Sequence, residues 1–127
     1  MPTLVSHPDE VKVLSRRFGL GAANIEKYIE LDGYKATQKA IAEGPEWIIN
    51  TMKASGLRGR GGAGFPTGMK WSFVPKVSEK PKYVLVNGDE SEPGTCKDHV
   101  LFLHDPHAVI EGTMIAGLAI GSKVGFI

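Results

Sequence analysis

Residues 82–98 read KYVLVNGDESEPGTCKD, and their pattern decides the fold class. Tyr83-Val84-Leu85-Val86 is an unbroken apolar run between Lys82 and Asn87, which suits an inner strand covered on both faces. A polar loop, Asn87 to Lys97, follows its C-terminal end. Asp105-Pro106 opens a helix: the aspartate caps it, and proline at the first helical position gives up an N–H that had no partner. That helix is expected to reach about Ile120, with Ile110, Met114, Gly117 and Leu118 along one stripe and Gly121 ending it. Val124 to Ile127 then opens a second strand. Strand, long loop, helix, strand is a βαβ unit with a right-handed crossover. The class is therefore α/β, and the Asn87 to Cys96 loop lies where such units bind ligands.

Upstream, the pattern is helical. Ile25 to Leu31 and Tyr34 to Ala42 read as short helices, with Ala36, Ala40 and Ile41 on the buried side of the second. Gly44-Pro45 starts a third, running Glu46 to Ala54, with Trp47, Ile48, Thr51 and Met52 on its inner face and Gly56 as its stop. Val11, Val13 and Leu14 leave residues 8–18 open between a helix and an extended arm.

Composition narrows the function classes. The 127 residues are 42% apolar and 23% charged, with a net charge of +1, as in a soluble globular domain. Near-neutrality argues against nucleic-acid binding, which needs clustered Lys and Arg. Cys96 is alone, so no internal disulfide or cysteine-rich metal site can form, and a reducing compartment is expected. The start, MPTLVSHPDE, lacks the basic and apolar regions of a signal peptide. The longest apolar stretch, Ala108 to Ile120, is interrupted by Glu111, Gly112, Thr113 and Gly117 and is too short to span a bilayer. Any membrane association is expected to come through partners. The final Gly125-Phe126-Ile127 is an unfinished apolar strand without a polar tail, so the chain is expected to be truncated.

Two segments carry the chemistry. The first, GRGGAGFPTGMKW (59–71), places five glycines in ten residues, each costing backbone entropy on ordering. Such a loop lets backbone N–H groups approach a flat or phosphorylated ligand as an anion nest, with Arg60 and Lys70 adding positive charge. A flexible surface loop is the plainer alternative. Gly59, Gly61 and Gly64 also match G-x-G-x-x-G, but a helix precedes them, Pro66 is expected to interrupt any helix they open, and no G-K-[ST] follows. The second segment, NGDESEPGTCKD (87–98), sets Asp89, Glu90 and Glu92 within four residues. Clustered carboxylates need donors or a cation to stay ionised. They could be a solvated turn, acceptors for ribityl, ribose or amide groups, or a calcium or magnesium site.

In this order the two motifs resemble the flavin-binding signature of the NADH-oxidising subunits of bacterial NADH–quinone oxidoreductases, the family of the 51 kDa subunit of mitochondrial complex I. The resemblance runs from about Trp47 to Ile127. It implies a Rossmann-like FMN-binding domain, incomplete over 44–127, preceded by a helical or extended arm over 1–43. Gly59, Arg60, Gly61 and Gly62 would cradle FMN, and Lys70 would reach its polar groups. Asn87 and Asp89 would contact the ribityl chain or flavin edge, Glu90 and Glu92 would line the cavity, and Glu92 would lie nearest the nicotinamide. Phe65 and Phe73 would stack on the adenine of NADH, and Trp71 would pack. FMN would perform the hydride transfer without a catalytic side chain of the protein, then pass electrons singly to iron–sulfur clusters toward quinone.

The resemblance further implies a small 2Fe–2S subunit and a large iron–sulfur subunit as partners, and a cytoplasmic position on the inner face of the cell membrane. A β-grasp domain and a helical domain with a 4Fe–4S cluster would follow in the missing C-terminal region, leaving no metal site in this segment and no NADH turnover by it alone. Two positions depart from the family pattern. Gly88 replaces the usual alanine, a mild change of size. His99 replaces the usual arginine, which puts an orienting salt bridge in doubt. Cys96 is expected to be a packed thiol and no cluster ligand, and His104 and His107 to cap or lie on the surface. The diaphorase subunit of an NAD-linked hydrogenase or formate dehydrogenase shares both motifs. A nucleotide-binding module without redox function is the alternative from a different class.

Overall fold

The computed structural model describes residues 7–127. The first six residues of the expected arm, and with them most of the start read for a signal peptide, lie outside the described residues. In chain order come α1 (Ile25–Glu30), α2 (Lys35–Glu43), α3 (Pro45–Ala54), α4 (Thr67–Ser72), β1 (Tyr83–Leu85), α5 (Lys97–His104), α6 (Pro106–Ile120) and β2 (Val124–Phe126). Local signals set most of these bounds. The Asn24 side chain accepts from the Lys27 N–H at the start of α1, and Asp105 does the same for Ala108 at the start of α6. Pro45 and Pro106 sit in the first turns of α3 and α6, and Gly121 closes α6 at φ 72°.

β1 and β2 pair in parallel, Tyr83 with Val124, Val84 with Gly125 and Leu85 with Phe126. The α/β class and the βαβ unit stand, with α5 as an additional helix inside the crossover. The strand differs from expectation in cover. Tyr83 and Leu85 are exposed and only Val84 turns inward, because the helices of the described residues lie on one face.

α6 is the spine, packed against α2, α3, α4, α5 and both strands. The core gathers Ala40, Ile48 and Ala119, with Trp47, Met52, Trp71, Ile115 and Leu118 packed around them. Two helices are rotated from their expected faces. On α2 the buried residues are Thr37 and Ala40, whereas Ala36 and Ile41 are exposed. On α6 they are Glu111, Gly117 and Ala119, whereas Ile110 and Met114 line an open groove of about 390 Å³ with Ile41 and Val84. On α3, Thr51 is also exposed, and Ile48 is the buried residue.

The rotation has a polar cause. Glu111, which interrupts the apolar run in sequence, is buried and accepts four hydrogen bonds. The donors are the Tyr28 hydroxyl, the Tyr34 N–H at 3.1 Å, and the Thr37 N–H and hydroxyl at 3.1 and 3.3 Å. Tyr34 is held there in the left-handed region, at φ 60°. Beside this group, Arg17 bridges Asp105 at 3.2 Å, donates to the Leu31 carbonyl and stacks 4.6 Å over the Tyr28 ring. Residues 8–18 are thus turns and extended chain rather than a helix, anchored through Arg17.

Burial pushes the Glu111 carboxyl toward protonation, but the bonds from Tyr28, Thr37 and Tyr34 outweigh it and hold it below the usual carboxylate range. Burial and the same Glu111 bond push the Tyr28 hydroxyl up. A lowered carboxyl contributes stability that is present above its unfolded value, about 4.3, and lost as pH falls through the folded value. Glu111→Gln, which turns an amide N–H₂ toward these donors, is expected to cost about 1–2 kcal/mol near neutral pH. It should also flatten the acid limb of stability, as read by urea unfolding across pH.

Candidate functional site

The glycine-rich motif folds as a closed hairpin between α3 and α4. Its stem is an antiparallel bridge of Arg58 with Pro66, in which Gly59 N–H donates to Phe65 O and Thr67 N–H to Leu57 O, both at 2.9 Å. The Arg58 guanidinium ties the loop again by donating to Gly64 O at 3.2 Å. Gly62 turns the tip at φ 99°, a conformation that side chains with a Cβ resist. Pro66 does not prevent a helix here. At ψ 120° it stands just before α4, which begins at Thr67. Gly68 lets α4 touch α3 closely, since a Cβ there would lie 2.4 Å from Lys53 N.

Beneath the hairpin is a cleft of about 490 Å³ lined by Gly59, Gly61, Ala63, Gly64, Phe65, Thr67, Lys70, Trp71, Val74 and Ile120. A Cβ added at Gly61, Gly62 or Gly64 would meet nothing within 4 Å, so these backbones face open space. Among the described residues their N–H groups donate to no other group. Unpaired backbone donors, one Lys70 ammonium and two aromatic walls fit a phosphorylated aromatic ligand such as FMN. Arg60 and Gly62 lie at the exposed tip outside the lining. Phe73 is also outside it, exposed, with its ring 6.1 Å from that of Phe65. Trp71 both packs on the core and walls the cleft.

The acidic motif leaves the C-terminal end of β1. Asn87 accepts from the Asp89 N–H at 2.9 Å, and Asp89 and Glu92 are exposed. Glu90 behaves differently. Its side chain is 1% exposed and accepts from the N–H groups of Asp98 at 2.7 Å and His99 at 3.0 Å, the first turn of α5. Burial pushes its carboxyl up, but those two bonds and Lys97 hold it below the usual range. His99 keeps an orienting contact after all, its Nδ1 lying 3.2 Å from Glu90. Asp89 and Glu92 stay at the surface while Glu90 turns to α5, and no metal-holding group of three acids, histidines or cysteines occurs among the described residues. None of residues 87–92 lines the cleft; the acidic loop packs on α5 instead.

Three expectations are corrected. Cys96 is exposed, at the residue before α5, because the first turn of that helix is capped from Glu90. Gly88 is no mild change: a Cβ would fall 2.3 Å from the Phe102 ring. His104 and His107 are partly buried, His107 beside the Tyr34 hydroxyl at 2.9 Å and His104 against Phe18, its Nε2 without a hydrogen-bond partner among the described residues. Phe102 and the Glu90 cap escaped sequence reading, since α5 has no local capping signal of its own.

Residues 52–127 match the Nuo51 FMN-binding domain. The chain belongs to that family. It is 49% identical over 120 residues to an NADH-quinone oxidoreductase subunit of Rhizobium meliloti (strain 1021), covering 94% of this chain and 28% of that protein. It is 44% identical to the mitochondrial NADH dehydrogenase [ubiquinone] flavoprotein 1 of Dictyostelium discoideum, covering 94% of this chain and 25% of that one. The chain thus spans about a quarter of the length of these curated relatives. Its fold is also similar to a solved NAD+-reducing NiFe-hydrogenase in the air-oxidized state. That match has a TM-score of 0.60 at 42% identity and covers 66% of this chain and 15% of the other.

Proposed function

We propose that this chain supplies part of the FMN site of an NADH-oxidising subunit, which passes a hydride from NADH to FMN and electrons onward to iron–sulfur clusters and quinone. The observation that carries this reading is the cleft, whose glycine donors, Lys70 ammonium and aromatic wall at Trp71 suit the phosphate and ring of a flavin. FMN, when bound, accepts two electrons as hydride and releases them singly. The chain's own residues bind and orient. Gly59 lines the cleft while its N–H closes the hairpin stem, Gly61 and Gly62 offer backbone donors, Arg60 and Lys70 balance negative charge, and Asn87, Asp89 and Glu92 accept from ribityl or nicotinamide groups. Glu90 stands at the base of the acidic loop, and Phe65 and Phe73 form a platform for adenine. Residues 44–127 form the domain portion, with 1–43 as an arm. Partners are a small 2Fe–2S and a large iron–sulfur subunit, with the 4Fe–4S cluster in the family's C-terminal region. No helix among the described residues is long and apolar enough to cross a membrane, which accords with peripheral attachment on the cytoplasmic face through those partners.

Anaerobic NADH titration of the intact gene product, copurified with its small iron–sulfur subunit, tests this by flavin absorbance. Stoichiometric bleaching is expected. Gly62→Leu should weaken FMN binding about tenfold or more, because leucine resists φ 99°. A folded, flavin-loaded product that NADH does not bleach would overturn the reading. The likeness to the hydrogenase favours one second reading, a diaphorase module, and hydrogenase subunits in the purified assembly would establish it.

A further inference from the structure

We propose that Glu90 and Phe102 are positioning residues: they lock the Asn87–Asp89 backbone onto α5 and so present Asn87 and Asp89 to the flavin, while neither side chain touches it. This rests on the flavin reading above. The first observation is an alternation that outlasts β1. From Lys82 to Glu90 the even-numbered residues are partly buried and the odd-numbered ones exposed. Side chains two apart in extended chain share a face. Val84, Val86, Gly88 and Glu90 therefore turn toward the helices, and Tyr83, Leu85, Asn87 and Asp89 turn away.

The second observation is that both inward residues of the loop end on one helix. Glu90 has both oxygens engaged, Oε1 by the Asp98 N–H and Oε2 by the His99 N–H and, at 3.2 Å, His99 Nδ1. Lys97 Nζ stands 3.7 Å from Oε1. A carboxylate so committed has little left for a ligand, whereas Asp89 and Glu92 are exposed acceptors. Phe102 lies one turn after Asp98 and His99, on the same side of α5. Its ring fills the place a Cβ of residue 88 would take, with Cε2 at 2.3 Å and Cζ at 2.9 Å. The loop is thus pinned at residue 88 by contact and at residue 90 by hydrogen bonds, with Asp89 between them pointing outward.

The test uses the intact gene product, with FMN dissociation read by flavin fluorescence and α5 read by amide hydrogen exchange without flavin. Gly88→Ala should weaken FMN about fivefold or more, and Gly88→Ala with Phe102→Leu, which lacks the clashing ring atoms, should recover most of the loss. Glu90→Gln should speed exchange at Asp98 and His99 about tenfold and weaken FMN, whereas Asp89→Asn should weaken FMN and leave that exchange unchanged. Equal weakening in the single and double variants, or unchanged exchange in Glu90→Gln, overturns the proposal. If Glu90→Gln does not fold, the Gly88 and Phe102 pair decides alone. Unmutated protein that binds no FMN would instead remove the flavin reading, and this inference with it.

Discussion

Arg17→Ala is expected to lower the unfolding free energy by about 3–5 kcal/mol, the range for removing one partner of a buried ion pair. Arg17 and Asp105 meet at 3.2 Å with side chains 9% and 1% exposed. Alanine would leave the Asp105 carboxylate buried and uncompensated. The same carboxylate also caps α6 by accepting from the Ala108 N–H, so its displacement would loosen that helix start as well. The variant would also lose the bond to Leu31 O and the stack on Tyr28. Urea unfolding reads the effect as a lower midpoint with an unchanged slope. Arg17→Lys should recover only part of it, since an ammonium cannot reproduce the planar stack and the fork of donors. A loss below about 1 kcal/mol, typical of an exposed pair, would mean that the N-terminal segment is not anchored in this way.

The second large effect is expected at Gly68, where Gly68→Ala should cost about 3 kcal/mol, the upper end for overpacking. The added Cβ would lie 2.4 Å from Lys53 N, 2.7 Å from Met52 C and 2.9 Å from Lys53 Cα. All three are backbone atoms of α3, so no side chain can swing aside. α4 must move instead, carrying Lys70 and Trp71 away from the cleft they line. FMN affinity should therefore fall about tenfold or more alongside stability. Gly112→Ala is the matched control: nothing lies within 4 Å of its added Cβ, and in mid-helix alanine should stabilise by about 0.5–1 kcal/mol. Similar losses at both positions would show that helix contact at Gly68 is not the cause.

The site was legible in the sequence where its signals are local. The glycine hairpin stood out because Gly59, Gly61, Gly62 and Gly64 crowd into one short stretch, and Lys70 and Phe65 follow it directly into the cleft. Glu90 shows the opposite case. In sequence it is one of three acids, and nothing distinguishes it from Asp89 or Glu92 until α5, with no cap of its own, takes both its oxygens. Gly88 looked interchangeable with alanine because Phe102, fourteen positions later, was not known to lie against it.

By itself the sequence determined the ends of the elements it marks, since proline, glycine and capping side chains act within a turn of the chain they punctuate, whereas α4 and α5, which lack such local caps, emerged only in the structure. Gly44-Pro45, Asp105-Pro106 and Gly121 placed α3 and α6, and the apolar runs at 83–86 and 124–127 placed the two strands. Only the tertiary structure decided which face each helix buries. The partners of Glu111 lie 74 to 83 residues away, and those of Arg17 as far as 88. Burying those polar groups without hydrogen bonds costs more than exposing Ile41, Ile110 and Met114, so the polar network, rather than the apolar stripe, sets the rotation of α2 against α6.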